Sequence, residues 1–161
     1  MAEGSPDRGS GRHVVSEPAS EARHARTDYP WALELPTRWR DNDRYGHLNN
    51  AVYFTLFETA VMHWLERERG LSLNGDPVRC FTVENGCRYL AALAHPDRIA
   101  CAVRVAHIGT SSVRYELALF GEGAERASAI GFIVDVFVDG ETERPTAIPA
   151  AYRAALQELA A

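Results

Sequence analysis

Residues 50–66 form the one long helix-period segment of this chain, and the segments on either side of it read mainly with a period of two. Tyr53, Leu56, Phe57, Ala60, Val61, Trp64 and Leu65 recur at helical spacing, with Thr55, Glu58, Thr59, Met62 and Glu66 between them. Asn49 or Asn50 suits the N-cap, because an Asx side chain accepts from the orphan amides of a first turn, and Gly70 suits the stop. A wide apolar stripe on a solitary helix has to be buried, and the partner on offer is a sheet.

The strands that would supply it are "VRCFTVENGCRYLAAL", "RIACAVRVAHIG", "SSVRYELALFGEG" and "SAIGFIVDVFVDG". Alternation puts Val103, Val105 and His107 on one face and Arg104, Ala106 and Ile108 on the other; Val113, Tyr115, Leu117 and Leu119 oppose Arg114, Glu116 and Ala118. Glycine-bearing links at Gly109, Gly121–Gly123 and Asp139–Gly140 predict successive antiparallel pairing. Upstream, Trp31, Leu33 and Leu35 alternate with Ala32, Glu34 and Pro36, and Pro36 favours an edge. The expected class is α+β, a five-stranded antiparallel sheet wrapped around one long central helix. "IPAAYRAALQEL" predicts a short closing surface helix, with Pro149 near its start. The last strand is apolar at nearly every position, which predicts that its second face is covered too, most simply by another subunit.

At 161 residues the chain suits one domain rather than two. Residues 1–28 are rich in Ser, Gly, Arg and Glu, hold a single apolar pair (Val14 and Val15) and show no period, so a disordered leader is expected before a domain at 29–161. A net charge of −5 gives no electrostatic reason to expect nucleic acid or an anionic membrane as partner. No apolar run approaches the roughly 20 residues that span a bilayer, and the N-terminus lacks the apolar core of a signal peptide. Cys80, Cys87 and Cys101 are odd in number and lack metal-ligand spacing, so free thiols in a reducing, cytoplasmic setting are expected.

Directly before the helix stands "DNDRYGHLNN", residues 41–50. Unpaired amides at a helix N-terminus carry partial positive charge and suit a carbonyl oxygen that becomes an oxyanion during attack. A carboxylate beside them can attack the carbonyl carbon or deprotonate a water. Asp41 and Asp43 supply the carboxylates, Gly46 permits a positive φ or a close approach, and the asparagines organise the cap. The plainer reading of the two aspartates is loop residues favoured by the helix dipole, and spacing alone does not separate the two readings.

"TRWRDNDRYGHLNNAVYFTLFE" resembles the hotdog-fold acyl-CoA thioesterases of the 4-hydroxybenzoyl-CoA thioesterase-like family through Asp41, Asp43, Gly46, His47, Asn49, Asn50, Tyr53, Phe57 and Glu58, with Leu48 in place of a valine. "CRYLAALAHPD", "VAHIGTSSVRYELALF" and "VFVDGETERPTAIP" extend the resemblance over about residues 30–150, with Ala92, His95 and Pro96 departing from its pattern. The resemblance implies a helix wrapped by five strands, homodimers or homotetramers with active sites at subunit interfaces, and hydrolysis of an acyl-CoA or acyl-carrier-protein thioester. It further implies Asp43 as the catalytic carboxylate, the amide near Asn50 as the oxyanion donor, and Gly46, His47, Asn49, Asn50, Tyr53, Glu58, Thr110, Ser111 and Ser112 as residues around the substrate.

The remaining candidates are weaker. His47 fits a loop-holding role better than proton transfer, since no serine sits in a nucleophile elbow. Asp41 reads as loop support, and Glu58 as a reserve carboxylate on the helix. His63 and His107 have no partner spacing for a metal, and no metal or cofactor is implied. Arg88, Arg104 and Arg114 are the nearest cations for the phosphates of CoA, although a solvated sheet face is their default. The rival function is a non-catalytic acyl-CoA-binding protein on the same fold.

Overall fold

A computed structural model describes residues 24–72 and 77–160. β1 (Trp31–Pro36) leads through a single turn at Trp39–Asp41 to α1 (Asn50–His63), and four further strands follow: β2 (Val78–Tyr89), β3 (Arg98–Ile108), β4 (Ser112–Phe120) and β5 (Ala129–Asp139). α2 (Ala150–Glu158) closes the chain. The strands form one antiparallel sheet in the order β1-β3-β4-β5-β2. Among the described residues no helix is long and apolar enough to cross a membrane.

The helix lies on the sheet as its stripe requires. Tyr53, Leu56, Phe57, Ala60 and Val61 are buried, against the inner-face residues Cys101 and Val103 of β3, Tyr115, Leu117 and Leu119 of β4, and Ile133 of β5. Asn49 is the N-cap, its side chain accepting from the Ala51 amide. After His63 the helix widens by one residue at Trp64–Glu68, with the Arg69 amide bonded to the Trp64 carbonyl, and Gly70 ends it at φ +65°. Fit between the layers depends on Gly131, where an added Cβ would stand 2.4 Å from the Phe57 ring and 2.8 Å from the Gly86 carbonyl oxygen.

The links at Gly109 and Gly121–Gly123 join successive antiparallel strands as expected, and the structure departs from the expectations on either side of them. Only β3-β4-β5 pair successively; β2 crosses over to pair with β5 on the far edge, and β1 pairs with β3. A bulge between Val105 and His107 then inserts Ala106, so that Ile108 rather than His107 shares a face with Val113. α2 is less superficial than expected, because Tyr152, Leu156 and Leu159 are buried and the Leu159 carbonyl accepts from the Val105 amide. Cys80, Cys87 and Cys101 are free, as expected, and burial pushes the Cys87 thiol up to about 11 and the Cys80 thiol up to about 12.

On the outer face Tyr29, Ala100, Ala102, Ala118 and Phe120 make a second small cluster. The last five residues of the segment expected to be a leader belong to this layer: the Arg26 amide donates to the Glu125 carbonyl at 3.2 Å, and the His24 ring lies 2.6 Å from the Tyr29 hydroxyl. Residues 24–28 therefore pack against the domain although they precede the expected boundary at residue 29, and residues 1–23 lie outside the described residues. Further along the outer face, Phe132, Val134 and Val136 of β5 are half-buried, and the Arg114 guanidinium stacks 4.0 Å above the Phe132 ring.

Gly131→Ala should destabilise the protein by about 1–3 kcal/mol through overpacking between Phe57 and the β2 backbone. Urea unfolding should show a lower midpoint with an unchanged slope; an unchanged midpoint would mean that the helix can lift off β5 at no cost.

Candidate active site

The loop from Arg38 to Asn49 is held by its own polar side chains. Asp41 is 4% exposed and accepts from the Arg38 amide at 2.7 Å and from Arg38 Nε at 3.1 Å, while its carbonyl takes the Asn49 amide at 2.8 Å. Burial by itself would raise the Asp41 carboxyl, but the Arg38 hydrogen bonds and charge outweigh it and hold the group below its ordinary value. Asn42 accepts from the His95 amide at 2.9 Å and donates to the Gly46 carbonyl at 3.3 Å. Leu48, 4% exposed, anchors the loop in the core, and its amide donates to the Leu93 carbonyl.

Asp43 is placed differently. Its Oδ1 accepts from the Tyr45 amide at 2.7 Å and the His47 amide at 3.3 Å, inside a tight turn in which Gly46 has φ +81°. Its Oδ2 has no donor among the described residues. Across from it the helix begins: Ala51 N–H bonds the Asn49 side chain and Val52 N–H the Asn49 carbonyl, whereas the Asn50 N–H finds no acceptor among the described residues. Asp43, His47, Asn50 and Tyr53 line one cleft of about 390 Å³, closed on its other side by Tyr89 and Ala92. Tyr89 donates to the Asn50 carbonyl at 3.3 Å and meets the Tyr53 ring edge-on with centroids 4.8 Å apart.

Not every candidate converges there. Gly46 and Asn49 shape the loop and the cap rather than the cleft wall. Thr110 and Ser111 lie in the β3–β4 turn and Ser112 opens β4; the Thr110 carbonyl accepts from the Ile148 amide and the Ser111 carbonyl from the Phe137 amide, and none of the three lines the cleft within one chain. Glu58 lies two turns along α1 in a groove of about 660 Å³ that contains neither Asp43 nor Asn50, and burial followed by the charge of Asp135 raises its carboxyl. Two residues lay outside the candidate set. Tyr89 had its signal in the "CRYL" stretch; Asp135 was hidden in an otherwise apolar strand. Among the described residues no three His, Cys, Asp or Glu side chains gather as they would around a metal ion.

The model of the thioesterase-like superfamily matches residues 37–156, which includes the loop, α1 and all strands from β2 to β5. The chain belongs to this superfamily. Its reaction class is thioester hydrolysis. The PA5185 protein from Pseudomonas aeruginosa is 45% identical in sequence, with a TM-score of 0.82 over 86% of this chain and 96% of that one. The PA2801 protein of the same species is 30% identical, with a TM-score of 0.73 over 80% and 98% of the two chains. A thioesterase from Thermus thermophilus, solved in complex with coenzyme A and Zn, is 27% identical at a TM-score of 0.68, covering 81% of this chain and 94% of that one. Among curated proteins none matches the chain. These likenesses bear out the five-stranded sheet and central helix of a hotdog thioesterase.

Proposed function

We propose that this superfamily member hydrolyses an acyl-CoA thioester in the cleft between Asp43 and the start of α1. The observation that carries the reading is the pairing of a carboxylate oxygen and a backbone amide, both without internal partners among the described residues, on the walls of one cleft. The thioester carbonyl oxygen accepts from the Asn50 N–H, where the helix dipole favours the charge that develops on it. Asp43 Oδ2 takes a proton from a water as that water attacks the carbonyl carbon. Collapse of the tetrahedral oxyanion breaks the C–S bond, the thiolate recovers the proton from Asp43, and acid and thiol leave. Direct attack by Oδ2 through a mixed anhydride fits the same placement. His47 and Tyr53 contact the substrate as cleft walls, and Gly46 and Asn49 act through the loop they hold.

The solved complex of the Thermus thermophilus thioesterase with coenzyme A supports CoA as the carrier here. Thr110, Ser111 and Ser112 lie outside the cleft of their own chain, and in our reading they meet the CoA moiety at the cleft of a second subunit in a homodimer or homotetramer. The outer edge of β2 supports this, because it ends the sheet and exposes Phe81 and Val83. Three free cysteines suit a reducing, cytoplasmic setting.

Asp43→Asn should lower kcat by roughly 10²–10⁴ while acyl-CoA still binds. Near-normal turnover in Asp43→Asn, together with its loss in Glu58→Gln, would move the reaction to the helix. Binding without turnover in the unaltered protein would favour the acyl-CoA-binding reading. In sedimentation the protein should run as a dimer or tetramer, and a fully active monomer would contradict a shared site.

A further inference from the structure

A further cavity, of about 340 Å³, opens between α1, β2, β5 and α2. Its walls are mostly apolar, with Met62, Leu65, Leu71, Phe137 and Tyr152 contributing, yet two carboxylates look into it, Glu58 and Asp135. Asp135 is 9% exposed. Its Oδ1 accepts from the Thr82 hydroxyl at 2.7 Å, and its Oδ2 has no donor among the described residues. Among the described residues neither carboxylate forms an ion pair there, and the cation at the rim, Arg79, reaches instead to Glu143 at 3.9 Å. A buried carboxylate in apolar surroundings is costly until a hydrogen-bonded cation joins it.

The helix connects this cavity to the proposed reaction site. Asn50, Phe54, Glu58 and Met62 are spaced by four and form one row along α1. The outer groove lined by Phe54, Glu58 and Met62 shares its last two residues with the cavity. Glu58 follows Asn50 by eight residue steps, a rise of about 12 Å, which a medium-length acyl chain of about ten carbons can cover.

Building on the thioesterase reading above, we propose that this row guides the acyl chain into the cavity, and that Glu58 and Asp135 select a tail ending in an ammonium group over one ending in bare hydrocarbon. The apolar walls take the methylene chain, and the ammonium donates to Asp135 Oδ2 and Glu58. The electrostatics agree with this assignment. Burial raises the Asp135 carboxyl against the opposing Thr82 hydrogen bond, and burial followed by the charge of Asp135 raises Glu58, so an added positive charge relieves both groups.

The test uses the full chain and two readouts. In calorimetry at neutral pH, hexylamine should bind at least about tenfold more tightly than 1-hexanol, the scale of a hydrogen bond to a charged group. Asp135→Asn should bring the two close to parity, and Glu58→Gln, at a more exposed position, serves if that variant does not fold. In turnover, 10-aminodecanoyl-CoA, long enough to reach from the Asn50 amide to Glu58, should exceed decanoyl-CoA in kcat/KM by a similar factor, and the variants should erase that ratio. Equal binding of hexylamine and hexanol, or equal kcat/KM for the two thioesters, overturns the proposal and leaves the thioesterase reading standing. Selective hexylamine binding with neither thioester hydrolysed overturns the thioesterase reading and with it the acyl-tail role, while the cavity remains an ammonium site.

Discussion

α1 can settle onto the sheet only because β5 has no side chain where Phe57 arrives. The Phe57 ring is fully buried, and any Cβ at Gly131 would stand within 2.4 Å of it. Burying such a side chain is worth about 1.5–3 kcal/mol, and truncating it in a packed core costs about 3–5 kcal/mol because a cavity remains. This contact sets the height and rotation of the helix, and both matter for chemistry. Height decides how far the first turn stands from the loop that carries Asp43. Rotation decides that the row beginning at Asn50 faces outward while Tyr53 and Phe57 face the sheet.

Within the loop, three consecutive polar residues divide the work by what surrounds them. Asp41 is buried and its carboxylate is bonded to Arg38; Asn42 bridges to His95 and Gly46. Both stabilise the approach to the helix. Asp43 commits only one oxygen, and commits it to amides of its own turn, so its carboxylate is oriented while the other oxygen stays open to the cleft. A carboxylate held this way loses little conformational freedom when substrate arrives.

Much of this was legible from residue order, because helix and strand periodicities are local. The α1 stripe and the Gly70 stop read correctly from spacing, and the cap was narrowed to Asn49 or Asn50, of which the structure takes Asn49. What was not legible is non-local. β2 reads like its neighbours, and only packing around the helix sends it across to β5. One extra residue at Ala106 reverses the face of His107, a change invisible in an alternating run. At the other end, the Arg26 and His24 contacts depend on the β4–β5 link and on Tyr29, so composition could not show that residues 24–28 pack against the domain. Asp135 was missed because a lone acid in an apolar strand gives no sign of facing inward until β2 brings Thr82 beside it. The Asp43 loop stood out by motif and the resemblance implied the amide near Asn50; what the structure adds is that Asn49 satisfies the next two amides and leaves the Asn50 N–H without an acceptor among the described residues.

The central claim is that a thioester carbonyl sits on the Asn50 amide beside Asp43. Infrared difference spectroscopy of Asp43→Asn saturated with an acyl-CoA, ¹³C-labelled at the carbonyl, reads this directly. A carbonyl accepting from that amide should absorb at lower frequency than the same thioester in water. A bound thioester whose carbonyl band is not lowered would contradict the oxyanion site and detach the start of α1 from the chemistry.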